Sequence, residues 1–204
     1  MAFFVLFIFN TLSAKAQNVL EKTIQATGIE MISIDGDQVF SIAISTSKTD
    51  EIKVKSTLDG EYQNDYQMVI TEKDNTLKLR LEHLSFGDIP DDKRNAHKVI
   101  AAVLQMEVPE NLSLTIKSDI GSVYLKGNFK SCYVALLEGQ CDFVGTAETA
   151  TINTLDGDIN VITESAAIQA HSNHGKITVD DFSNEISIWK LESINGNITV
   201  VKPD

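Results

Sequence analysis

Prolines number 3 in 204 residues, cysteines 2 and tryptophans 1. Two cysteines cannot staple a disulfide-dense small scaffold, so the fold has to rest on a packed core. Hydrophobic residues at 43% are enough to build one. Basic side chains are also scarce, with 17 Lys and Arg against 29 Asp and Glu and a net charge of −12. Phosphate backbones need Lys and Arg, so nucleic acid is excluded as a partner, and so is charge-driven docking on an anionic membrane. Beyond Phe9 no apolar run is long enough to cross a bilayer as a helix. No serine sits in a Gly-x-Ser-x-Gly elbow with placed His and Asp, and the Gly-Gly-x-Gly-x-Asp calcium repeat is missing. No catalytic residue, cofactor or metal is therefore expected.

The chain opens on MAFFVLFIFNTLSAKAQ, an apolar run from Ala2 to Phe9 followed by Ala14-Lys15-Ala16. A short apolar stretch ending in a small-x-small pattern reads as a secretory signal peptide, residues 1–16, cut after Ala16. No Lys or Arg precedes the run, which leaves room for a start upstream of Met1. No Cys follows the cut, so no lipoprotein anchor is indicated. Losing Lys15 takes the mature chain to 16 basic and 29 acidic residues, near −13 (16−29). Export to the periplasm, the cell surface or the medium follows from this reading.

The rest of the chain repeats. Gly121, Gly139, Gly157, Gly175 and Gly196 are separated by 18, 18, 18 and 21 residues. The second and fourth residues after each glycine are apolar: Val123 and Leu125, Cys141 and Phe143, Ile159 and Val161, Ile177 and Val179, Ile198 and Val200. A second apolar pair follows in each unit: Cys132 and Val134, Ala150 and Ile152, Ile168 and Ala170, Ile186 and Ile188, with Leu114 and Ile116 in the same slots one unit earlier. Period-2 alternation repeated at one phase means two short strands per unit, each turning one face inward. One unit cannot cover its own inner face, but stacked units can. The expected fold is all-β, a single-chain β-solenoid with coils of about 18 residues. In Asn153–Thr163, NTLDGDINVIT, the Asp-Gly-Asp sequence is one such corner. Only the glycine recurs between corners, so it supplies a positive φ or a close approach, and the acids are read as solvent-facing turn residues. Each strand pairs in parallel with its copy in the next coil, so Ile159 points into the core between Cys141 and Ile177. The last coil forms an open end, where the three extra residues, with Trp189 and Leu191 nearby, fold over as a modest cap and keep the protein mostly monomeric; the alternative is weak self-association through that end, which fits a scaffold role.

Ahead of the repeats lie strands bounded by turns: Val39–Ser45, Glu51–Ser56, Tyr66–Glu72 and Thr76–Glu82, with turns at Asp59-Gly60 and Lys73-Asp74-Asn75. Residues 17–97 form a β-rich part, either the first coils or a cap on the stack, and residues 98–204 the coils, continuous with it as one domain. Phe86–His97 reads as a long loop and Lys98–Val108 as a strand. The coils with DINV, KITV and NITV after glycine resemble bacterial proteins of the auto-transporter adhesin head-domain family. VPENLSLTIKSDIGSVYLKG, Val108 to Gly127, is similar to the start of that family's coils, and Asp50 to Glu82 to its lead-in. The resemblance spans roughly Gly28 to Val201 and implies surface binding. It brings no catalytic residues to carry over.

His171 and His174 have metal-like spacing, but in a strand residues three apart point to opposite faces. Cys132 and Cys141 fall on different strands of the coil, which favours buried free thiols over a disulfide, although an oxidising compartment permits one. The outer slots are mostly Ser, Gln, Asp, Lys, Asn and Thr, without a matched carboxylate pair across coils. Asn160, Thr178 and Thr199 form a polar ladder there, the candidate binding face. Two function classes follow. One is a non-enzymatic adhesin or scaffold at the cell envelope that contacts a glycan, a cell-wall polymer or a protein. The other is a carbohydrate-active β-helix enzyme. The export reading has a direct check: N-terminal sequencing of the exported protein from its native host should begin at Gln17, and an intact Met1 would exclude it.

Overall fold

The computed structural model describes residues 18–60, 63–84, 100–182 and 187–203. The signal segment with its cut site and the Phe86–His97 loop lie outside the described residues. Every regular element described is a strand: β1 (Asn18–Gln25), β2 (Met31–Asp35), β3 (Val39–Ser47), β4 (Glu51–Gly60), β5 (Tyr66–Lys73), β6 (Thr76–His83), β7 (Ile100–Pro109), β8 (Ser113–Ser118), β9 (Ser122–Glu138), β10 (Cys141–Asp156), β11 (Ile159–Ile162), β12 (Ala167–Ser172), β13 (Ile177–Val179), β14 (Ile188–Asn195) and β15 (Ile198–Val201). The fold is all-β with one mixed, unclosed sheet. Of the strands read from the sequence, β3 to β6 are present and run further at their C-terminal ends, and β7 is present from Ile100 to Pro109, the first two residues of its expected range lying outside the described residues. Asp59-Gly60 is not a turn, because both residues still pair with β7. Asp74 and Asn75 do form a hairpin turn, with φ of 51° and 58°, the two positive values that a tight twisted hairpin requires.

The strands make two ladders that share β9 and β10. One runs β5-β6-β2-β8, then the second halves of β9 and β10, then β14 and β12. The other runs β1-β4-β7-β3, then the first halves of β9 and β10, then β11, β15 and β13. Pairings are parallel except β1–β4, β4–β7 and β5–β6. Between the ladders lies one core. Its rows are Leu77, Ile32, Leu114, Cys132, Ala150 and Trp189 on one side, and Leu104, Ile42, Val123, Cys141, Ile159 and Ile198 on the other, none more than 3% exposed. The lead-in is woven into the stack: β2 pairs with β8, and β3 with both β7 and β9.

The order of the last two units departs from chain order. Ile159 pairs with Cys141 on one side and with Ile198, not Ile177, on the other. β15 lies between β11 and β13, and β14 between β10 and β12. The C-terminal unit is therefore interior, and β12 and β13 form the end. The expected cap of Trp189 over an open final coil is overturned with it. The inward pair of this unit is Trp189 and Leu191, both fully buried, whereas Ile188 is 53% exposed and Ile186 lies outside the described residues. The three extra residues shift the slots by three, from 186 and 188 to 189 and 191.

Packing explains the exchange. The Trp189 ring meets Phe143 edge-on, 4.8 Å between centroids, and its Nε1 donates to the Ala147 carbonyl at 3.1 Å. Its register partners are Ala150 and Ile168, and small side chains at Ala147 and Ala150 leave room for it. Burying ~150–250 Å² of indole contributes about 4–6 kcal/mol, most of which would be lost at an open end. The pair left at the end, Ile168 and Ala170, forfeits less. The order is testable by denaturant melts on dilute protein. Ile198→Asp should cost ~3 kcal/mol or more, and Ile177→Asp under about 1. The reverse ranking would restore chain order.

Candidate functional site: glycine corners and outer rows

The corner glycines stack in the order Gly121, Gly139, Gly157, Gly196, Gly175. A Cβ on Gly139 would lie 2.5 Å from the Gly121 carbonyl oxygen, one on Gly157 1.9 Å from that of Gly139, one on Gly196 2.0 Å from that of Gly157, and one on Gly175 1.8 Å from that of Gly196. Of these five only Gly139 has a positive φ, 119°. Close approach of one backbone to the next is therefore the common demand. A second column exists that the sequence reading missed: Gly127 and Gly145, with φ of 122° and 141°, where a Cβ on Gly145 would meet the Gly127 oxygen at 1.9 Å. Its signal was the same 18-residue step (145−127).

Hydroxyls three residues before a corner glycine hold the corners together. Thr154 Oγ1 donates to the Gly157 carbonyl at 2.7 Å, Ser193 Oγ to the same carbonyl at 3.2 Å, and Ser172 Oγ to that of Gly196 at 2.7 Å. Ser118 Oγ donates to the Gly36 carbonyl at 2.9 Å and accepts from the Gly121 amide at 3.0 Å. Ser118, Thr154 and Ser193 are buried, so these bonds satisfy groups that would otherwise be costly. The acids of the corners brace neighbouring units. Asp158 Oδ1 accepts the Asn197 amide at 2.7 Å, and Asp119 Oδ1 the Gln38 amide at 2.8 Å.

On the outer side of the second ladder, Tyr124, Asp142, Asn160, Thr199 and Thr178 stand in register on adjacent strands. The ladder's order is thus Asn160, Thr199, Thr178. Asn160 Nδ2 donates to Asp142 Oδ1 and Gln140 Nε2 to Asp142 Oδ2, both at 2.8 Å. The next outer row, Lys126, Val144, Ile162 and Val201, is mostly apolar. A shallow depression lined by Gln105, Tyr124, Lys126, Asp142 and Val144 opens beside them. At the far side of this ladder, hydrogen bonds from Ser47 and Lys53 hold the Glu107 carboxyl below its ordinary range. The outer side of the first ladder carries exposed Leu137, Leu155 and Ile194 beside Asp37 and Asp119.

Cys132 and Cys141 are free and buried, on opposite ladders, and burial pushes both thiols up. His171 and His174 are exposed, and the His171 ring contacts Asn173 Oδ1 at 2.9 Å. Among the described residues no three His, Cys, Asp or Glu side chains converge on a metal-sized point, and no helix is long and apolar enough to cross a membrane.

No protein-family model matches the chain, and no curated protein matches it in sequence. In fold it is similar to the crystal structure of a putative cell adhesion protein from Clostridium sporogenes, with 16% identity over 92% of this chain and 100% of that one, at a TM-score of 0.65. Weaker likenesses join it to a putative adhesin from Bacteroides fragilis (11% identity, 92% and 98% covered, TM-score 0.42) and a putative lipid binding protein from Parabacteroides distasonis (12%, 92% and 97%, 0.32). At these identities the first match establishes a shared all-β fold.

Proposed function

We propose that this protein is an exported, non-enzymatic binding module of the cell envelope, a β-solenoid whose outer sheet face contacts a glycan, a cell-wall polymer or another protein. The solenoid reading takes the two ladders as the sides of stacked coils, with the last two coils exchanged and the lead-in as part of the same unit. The observation that carries the binding reading is the flat polar row Asp142, Asn160, Thr199 and Thr178, held in register by strand pairing and by the Asn160–Asp142 bond. Its carboxylate is already engaged by two amide donors, so it is placed to orient side chains rather than to exchange protons. Tyr124 beside it offers an aromatic surface of the kind that stacks on sugars and peptides. The signal-like N-terminus supports export, and the likeness to a structure described as a cell adhesion protein agrees with a binding role.

Glycan-array and cell-wall-polymer pull-down experiments on the mature protein test this. A bound ligand should be lost about five-fold or more on Thr199→Lys and on Tyr124→Ala, with melting temperature little changed. Ligand binding untouched by both variants would move the site off this face.

A further inference from the structure

The exchanged order leaves an end that differs from the rest of the stack. In β13 the inward residues Ile177 and Val179 are 41% and 39% exposed, whereas their register partners Ile198 and Val200 are fully buried. Ile168 and Ala170 on β12 are only partly buried. Among the described residues neither strand has a partner beyond it. The Ile198 amide donates to the Lys176 carbonyl and the Asp180 amide to the Val200 carbonyl, each at 2.9 Å. Backbone groups alternate sides along a strand, so those of Ile177 and Val179 point away from β15. On β12 the Ala167 and Asn173 amides donate to the Ser187 and Ser193 carbonyls, which turns the groups of Ile168 and Ala170 away from β14.

We propose that this end docks a second copy of the chain about a two-fold axis through Thr178 and Gln169. Antiparallel pairing about Thr178 sets Ile177 opposite the partner copy's Val179, and those are the residues whose amides and carbonyls are free to exchange hydrogen bonds. The same axis through Gln169 sets Ile168 opposite Ala170. Gln169 and Thr178 each stand between the two inward residues of their end strand, and the proposed axis passes through both, so that both ladders pair at once. Charge selects a copy of this chain over another edge. On the outer side the pairing sets Lys176 opposite Asp180, twice by symmetry, and the inner faces meet apolar to apolar. The pairing joins Thr178 to Thr178 and extends the row Asn160, Thr199, Thr178 unbroken across the axis. That last consequence rests on the binding reading above; the pairing itself does not.

Sedimentation of the full mature chain through the micromolar range, with complementary variants, tests the pairing. Wild-type protein should dimerise. Lys176→Glu and Asp180→Lys alone should each weaken association about ten-fold or more, because each sets like charges opposite one another. Mixing the two variants should restore a heterodimer, since their altered charges then match. In wild-type protein, amide exchange at Ile177 and Val179 should slow with concentration more than at Thr178, which already faces β15. A wild type that stays monomeric, single variants that dimerise as the wild type does, or a mixture that does not recover would each overturn the proposal.

Discussion

A β-carbon at Gly157 would sit 1.9 Å from the Gly139 carbonyl oxygen, and one at Gly196 2.0 Å from that of Gly157. This contact between successive corners is the constraint on which the rest depends. Parallel strands can keep their spacing through a corner only if the corner backbones approach as closely as the strands do. A side chain there would push neighbouring units apart and pull the inward rows out of register. The Ser193 and Ser172 hydroxyls and the Asp158–Asn197 bond work to the same end, tying the Gly157, Gly196 and Gly175 corners to one another by hydrogen bonds.

Once the corners fix the spacing, the order of units is decided by what fills the core. All units present nearly the same slots, so the pattern alone allows more than one stacking order. Trp189 breaks that degeneracy. Its ring needs Phe143 on one side, an alanine-lined gap on another and an acceptor for its N–H, and the interior position supplies all three. The smaller pair Ile168 and Ala170 is left for the end, where little covers it.

The all-β class, the 18-residue step and most inward residues were legible in the sequence because glycine spacing and period-2 alternation are local signals. Stacking order was not, since Ile177-Thr178-Val179 and Ile198-Thr199-Val200 are alike and alternation does not say which lies next to Ile159. Three inserted residues shift the slots, so the 18-residue step points to Ile186 and Ile188 where the core holds Trp189 and Leu191. β2 and the pairing of β3 were hidden because their parallel partners, β8 and β9, lie some eighty residues on, beyond any window of local pattern. Asp35-Gly36-Asp37 repeats the corner of Asp156-Gly157-Asp158 and could have revealed them. Of the candidate face, Asn160, Thr199 and Thr178 were legible as outward polar positions, whereas the Asp142 bonds that hold Asn160 depend on side-chain geometry.

The exchanged order is open to one direct measurement. Thr151 lies beside Lys190 across the β10–β14 pairing, and Lys190 lies between Thr151 and Gln169. Neighbouring strands bring facing residues within disulfide reach, and strands one further apart do not. Under mild oxidation the double variant Thr151→Cys with Lys190→Cys should cross-link within the chain, and Thr151→Cys with Gln169→Cys should not. Efficient cross-linking of the second pair and none of the first would contradict the account and return the units to chain order.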